Sequence, residues 1–134
     1  MNKIDKTVSI FIGGKERKMR FNINAILELE SKIPEKNITT LIGAGTFSMD
    51  TLITATWIGL KYQDKLLDIK KVKKWVADYL VENSYAKLYA LVLGAIGISG
   101  LCGGNISLFQ DVIAKANAID EDEPEENEDT DEKN

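Results

Sequence analysis

Twenty-three consecutive residues, "LYALVLGAIGISGLCGGNISLFQ" from Leu88 to Gln110, carry no charge. A helix without a polar side cannot rest on a protein surface: the rest of the chain buries it, or it crosses a bilayer. Three features favour burial. The apolar density is confined to Leu88–Leu101, short of the roughly twenty residues that a span needs. Gly100, Gly103 and Gly104 read as a helix terminus, and Asn105, Ser107 and Gln110 are costly in hydrocarbon. The run therefore predicts a central buried helix from Tyr85 to about Ile98, with Gly94 and Gly97 letting a neighbour pack close. Ser107 is then placed to cap a last helix, "LFQDVIAKANAI".

The elements before that run have clear signals. In "TVSIFIGGKERKMRF", Val8, Ile10 and Ile12 alternate on one face, and Gly13-Gly14 supplies the positive-φ positions of a tight turn. The return strand sets Arg17, Met19 and Phe21 on one face. Asn22 or Asn24 can cap a helix through "AILELESK" that Pro34 ends, and Asn37 a short turn, "ITTLI". After the breaker "GAG", Ser48 opens "MDTLITATWIGLKY", with Leu52, Ile53, Thr56, Trp57 and Leu60 at helical spacing. Asp68 opens "IKKVKKWVADYLVE". Its stripe is Ile69, Val72, Val76, Tyr79 and Leu80, with Trp75 at the edge and Lys70, Lys71, Lys73 and Lys74 on a solvated face. Trp57, Trp75 and Leu91 are expected in the core. The fold class is mainly α (α+β): an N-terminal hairpin, then a compact bundle of about four to five helices.

Charge divides the chain. Residues 120–134 hold ten acids and one lysine, a net −9, whereas the first 119 residues carry +5. An acidic block without apolar area has nothing to offset its ordering entropy. The expected organisation is a folded domain over 1–119 and a disordered acidic tail over 120–134. One cysteine, Cys102, permits no internal disulfide and suits a reducing compartment. The N-terminal stretch lacks the continuous apolar segment of a signal peptide, so a cytoplasmic location is expected.

Catalytic chemistry finds little to use. There is no histidine, which excludes Ser-His-Asp and Cys-His arrangements and histidine zinc sites. "GAGTFS" at Gly43–Ser48 lacks the third glycine of a dinucleotide fingerprint and follows no strand. "GGK" at Gly13–Lys15 is not followed by Ser or Thr, as a phosphate loop requires. The acidic tail has neither the glycine nor the spacing of a calcium loop. Trp75 and Tyr79 lie on an apolar stripe, and a −9 tail competes for any basic face, which argues against nucleic acid. No catalytic, cofactor-binding or metal residues are assigned. The expectation is a non-enzyme.

The stretch "VSIFIGGKERKMRFNINAILELE" resembles the start of the phage tail assembly chaperones, a family of long-tailed phages, prophages and gene transfer agents. The likeness lies in a strand, a Gly-Gly turn, an aromatic, and "N-A-I-L-E-L-E" opening a helix. "LITATWIGLKYQDKLLDIKKVKKWV" is similar to that family's aromatic-x-Gly-Leu helix end, charged loop and following helix. The likeness covers roughly residues 6–98; "NITTLIGAGTFS" and "GISGLCGG" depart from the pattern. The resemblance implies a non-catalytic protein of the host cytoplasm that binds the tape measure protein. It would help recruit tail tube protein and be absent from the mature virion. Self-association is allowed, and neither nucleic acid nor membrane is a partner. The rival readings are a structural virion component, such as a tail tube or connector subunit, and a small membrane protein using 88–110.

The resemblance also implies a longer form made by ribosomal slippage near the end of the frame, for which "EKN" at Glu132–Asn134 permits adenine-rich codons. On this reading the acidic segment is an extended spacer. The gene's final codons should spell a slippery heptamer, and mass spectrometry should find a longer product. Absence of both leaves the tail as a solubilising arm.

Overall fold

A computed structural model describes residues 6–121, with side chains to Ala118. Strands β1 (Val8–Ile12) and β2 (Lys15–Met19) form an antiparallel hairpin. Six helices follow: α1 (Ile23–Lys32), α2 (Ile38–Gly43), α3 (Met49–Leu60), α4 (Ile69–Glu82), α5 (Tyr85–Ile98) and α6 (Ile106–Glu121). The architecture is the expected mainly α one. Its extra helix is α2, which "ITTLI" foreshadows only as a turn. The acidic stretch 120–134 lies outside the described residues, except that its first two continue α6.

Local chemistry sets the boundaries. Gly13 and Gly14 take φ of 65° and 85°, and Ile12 pairs with Lys15 across that two-residue turn. The side chains of Asn22, Asn37, Ser48 and Asp68 each accept a backbone N–H bond in the first turns of α1, α2, α3 and α4. Ser84 does the same for α5. Ser107 does not cap α6. Asn105 Oδ1 instead accepts the N–H of Ser107 at 2.9 Å, and the Asn105 carbonyl accepts those of Leu108 and Phe109, so the helix begins at Ile106.

The core is built on α5. Leu88, Leu91, Val92, Ala95, Ile96 and Ile98 are buried, and β1, α3 and α6 pack around them. The close approach foreseen at two glycines is made by α6. A Cβ on Gly94 would collide with the Ile113 side chain, and one on Gly97 with the Phe109 ring. Both pairings together make α5 and α6 antiparallel. No helix of the described residues is long and apolar enough to cross a membrane.

Helix α3 is buried well beyond its expected stripe. Thr51, Thr54, Ala55, Ile58 and Gly59 are buried as well as Leu52, Thr56 and Leu60. Thr56 satisfies its hydroxyl by donating to the Leu52 carbonyl at 2.7 Å, so a polar residue can lie inside a helix packed on several sides. Gly59 admits the hairpin. Its Cβ position is 3.0 Å from the Phe21 ring and 3.2 Å from Met19, and its carbonyl accepts the Arg20 N–H at 3.1 Å.

Leu91 is core as expected; Trp57 and Trp75 are not, since both are only partly buried at its rim. Trp57 donates its indole N–H to the Leu67 carbonyl at 2.8 Å and carries Lys61 Nζ 3.8 Å above its ring. A large ring with one polar edge is satisfied at such a boundary.

Gly97→Ala removes a flexible residue from a helix, a change worth about 1 kcal/mol of propensity in its favour. The clash with Phe109 should nevertheless make it destabilising, by about 1–3 kcal/mol in chemical denaturation. In a Phe109→Ala background the same change should become neutral or stabilising. Equal effects in both backgrounds would refute the α5–α6 contact.

Candidate functional site

The hairpin turn meets α4 at an aromatic side chain, Trp75. Trp75 lies flat against the turn, 2.5 Å from where a Gly13 Cβ would stand, so no larger residue fits there. Arg17 also lies over the ring, with its guanidinium 4.0 Å from the Trp75 ring centre. The same guanidinium donates to the carbonyls of Ile12 at 2.8 Å and Gly13 at 3.0 Å. Arg17 therefore satisfies the turn's carbonyls while roofing the indole. Sequence reading placed Arg17 correctly on the face of Met19 but gave it no role.

Along this junction runs a hollow in two adjoining parts. One, of about 380 Å³, lies between the hairpin turn and α4, and Lys74, Trp75, Asp78 and Glu82 line its helical side. The other, of about 370 Å³, continues past Ser9 and Glu16 to Lys87, Leu91 and Asn117. Phe11, Tyr79 and Asn83 border both. Phe11 is the apolar feature of this surface. Alternation in β1 turns it away from the core, and it remains 67% exposed. Phe11 received no assignment from the sequence, although the pattern that buries Ile10 and Ile12 necessarily turns it outward.

A third hollow, of about 530 Å³, lies where α1 meets the end of α3 and is more strongly charged. Arg20, Lys61 and Lys65 line it together with Glu28. Lys61 Nζ is 2.7 Å from Glu28 Oε2, so one of its cations is already neutralised by its own wall.

The remaining chemistry is structural. Loop residues Thr46 and Phe47, in the sequence that mimics a dinucleotide fingerprint, are tied down by Tyr85. Its hydroxyl donates to the Phe47 carbonyl at 2.6 Å and accepts the Phe47 N–H at 2.9 Å. Tyr89 stacks on Tyr85 and meets Phe47 edge-on; its own burial, then the neighbouring Tyr85, push its hydroxyl above the ordinary phenol range. Cys102 is a free, half-buried thiol. Burial, reinforced by the Glu30 carboxylate, raises it above the usual range and disfavours the thiolate. Among the described residues no three metal-ligating side chains come together. The four lysines expected on a solvated face, Lys70, Lys71, Lys73 and Lys74, are all exposed there.

Two substitutions separate structure from surface. Trp75→Ala should cost about 2 kcal/mol, less than a fully buried tryptophan, because the ring is only partly covered. Phe11→Ser should leave the thermal midpoint unchanged. An unaffected midpoint in Trp75→Ala would show that the hairpin is held by other contacts.

Comparison with protein-family models, curated proteins and solved structures returns no match to this chain.

Proposed function

We propose that this chain is a non-catalytic assembly chaperone of phage tails, which holds a helical segment of the tape measure protein until tail tube subunits displace it. The observation that carries this reading is the hollow between hairpin and α4, open to solvent and bordered by the exposed Phe11 ring. An aromatic beside a groove lined by Trp75 and Tyr79 suits the apolar face of an amphipathic helix. Mixed lysine and carboxylate walls favour reversible binding over a permanent seat.

The two stretches that resemble the family also pack on each other. Gly13 of the first receives Trp75 of the second, and Gly59 of the second receives Phe21 and Met19 of the first. A glycine turn, an aromatic, and a Gly-Leu helix end therefore serve one joint. This supports reading the motifs as a unit.

Co-expression with the tape measure protein encoded beside it should keep that protein in the supernatant. Phe11→Asp should abolish the effect without altering this chain's own stability. Tape measure protein that pellets equally with and without the chain would sink the proposal. Recovery of the chain from purified virions would favour a structural virion component instead.

A further inference from the structure

We infer that the acidic segment beyond Glu121 docks on the basic face that α4 and the hairpin turn present, within the same molecule. Lys15, Lys70, Lys71, Lys73 and Lys74 are all exposed, and none of the five is in an ion pair among the described residues. The described carboxylates close to them are Asp68, Asp78 and Glu82 on or beside α4, and Glu16 on β2. Asp68 accepts the Lys70 N–H at 2.9 Å and keeps its charge beside the first turn. The face thus sets five lysines against four carboxylates, keeps a net positive charge, and none of the lysines is held in an ion pair among the described residues.

The route of the chain brings the opposite charge to it. The pairing of Gly94 with Ile113 and of Gly97 with Phe109 makes α6 run back along α5. Its C-terminal end therefore returns to the start of α5, which adjoins the end of α4. Asn117 marks that position, since it lines the same hollow as Phe11, Tyr79 and Asn83. Beyond Glu121 thirteen residues remain, with eight acidic side chains and one lysine, a net −7. Thirteen residues can extend about 43 Å, whereas the fourteen of α4 rise about 21 Å.

The order of charges selects which part of the segment binds. Glu82 and Asp78 stand on α4 nearest the exit and repel Asp122 and Glu123. The lysines stand in the first turns of the helix, farther away. Contact therefore falls to the later acids, Glu125, Glu126, Glu128, Asp129 and Asp131. Between them Asn127 and Thr130 are the only uncharged residues. Attraction of this kind acts through exposed groups, so salt weakens it. It does not depend on which partner the hollow takes. A partner that reaches Lys74 at the hollow's edge would nevertheless have to displace the segment.

The test uses the full chain with Cys102→Ser and a nitroxide on Thr130→Cys, read by amide signals in isotope-labelled protein. At low salt the amides of residues 70–74 and 13–15 should lose more than about half their intensity, and at roughly 0.5 M NaCl they should recover it. Changing the four α4 lysines to Gln should abolish the loss while the rest of the spectrum stays in place. Intensity loss confined to the end of α6 and the start of α5, or loss insensitive to salt, would overturn the inference. So would loss carried over to labelled chains without nitroxide mixed with unlabelled nitroxide-bearing chains, because the contact would then join two molecules.

Discussion

A helix with no polar side has to be covered all round, and that requirement on α5 organises the molecule. Its inner turns, Leu88 to Ile98, offer no surface that tolerates water, so β1, α3 and α6 are arranged about it. Glycines at positions 94 and 97 set the depth at which α6 seats, because they let Ile113 and Phe109 reach the helix backbone. Fully burying each large apolar side chain contributes on the order of 2 kcal/mol, and α5 supplies several of them along one short segment. Elements that seem peripheral in sequence are then explained by cover. The Gly43–Ser48 loop is one: Tyr85 and Tyr89 on α5 hold Phe47 down where the bundle would otherwise be open.

Against this buried centre the hairpin lays its inner face, Val8, Ile10, Ile12 and Met19, and two further junctions fix its edge and its turn. One edge is met by the end of α3 and the turn after it, through the Gly59 carbonyl and the Gln63 side chain, which accepts the Lys18 N–H at 2.9 Å. The turn is met by Trp75. Each junction depends on a glycine, Gly59 in one case and Gly13 in the other, since a Cβ at either would press on an aromatic ring. With a φ of 65°, Gly13 also holds a conformation that side chains rarely adopt. Two independent constraints on one residue explain why the turn begins with glycine better than turn preference alone.

Much of this was legible from the chain. Capping residues announce themselves because the interaction is local: Asn22, Asn37, Ser48 and Asp68 need only the amide two or three residues ahead. Hairpin alternation and the helical periodicity of α4 are local in the same sense. Long-range pairings were not legible. Nothing near Trp75 in sequence says that its face is shared by Gly13 and Arg17, so an aromatic beside an apolar stripe read as core. Burial of Thr51 and Thr54 escaped for the same reason, because residue type suggests solvent while the surrounding α1, α4, α5 and β2 decide otherwise. The hollow was invisible until the hairpin was set on α4. Only the outward direction of Phe11 could have pointed to it.

The chemistry of that hollow limits how it can bind. Covering one aromatic such as Phe11 and its counterpart removes a few hundred Å² from water, worth on the order of 5–10 kcal/mol at most. Association costs of about 4–15 kcal/mol absorb much of that gain, so a single seat holds its occupant weakly. Weak seats become effective when a long partner offers the same helical face many times and many copies of the chain bind side by side. Such an arrangement permits release one copy at a time, each step breaking only one small contact. A net −7 segment on every copy affects it twice. On the docking proposed above, the segment would lower the affinity of the empty protein by covering the hollow's basic edge. Displaced by a partner on that same proposal, it would add its charge to the surface of the assembly, where like charges repel. If the docking holds, the basic face and the acidic segment act as one element, and altering either should change both the occupancy and the solubility of the assembled state.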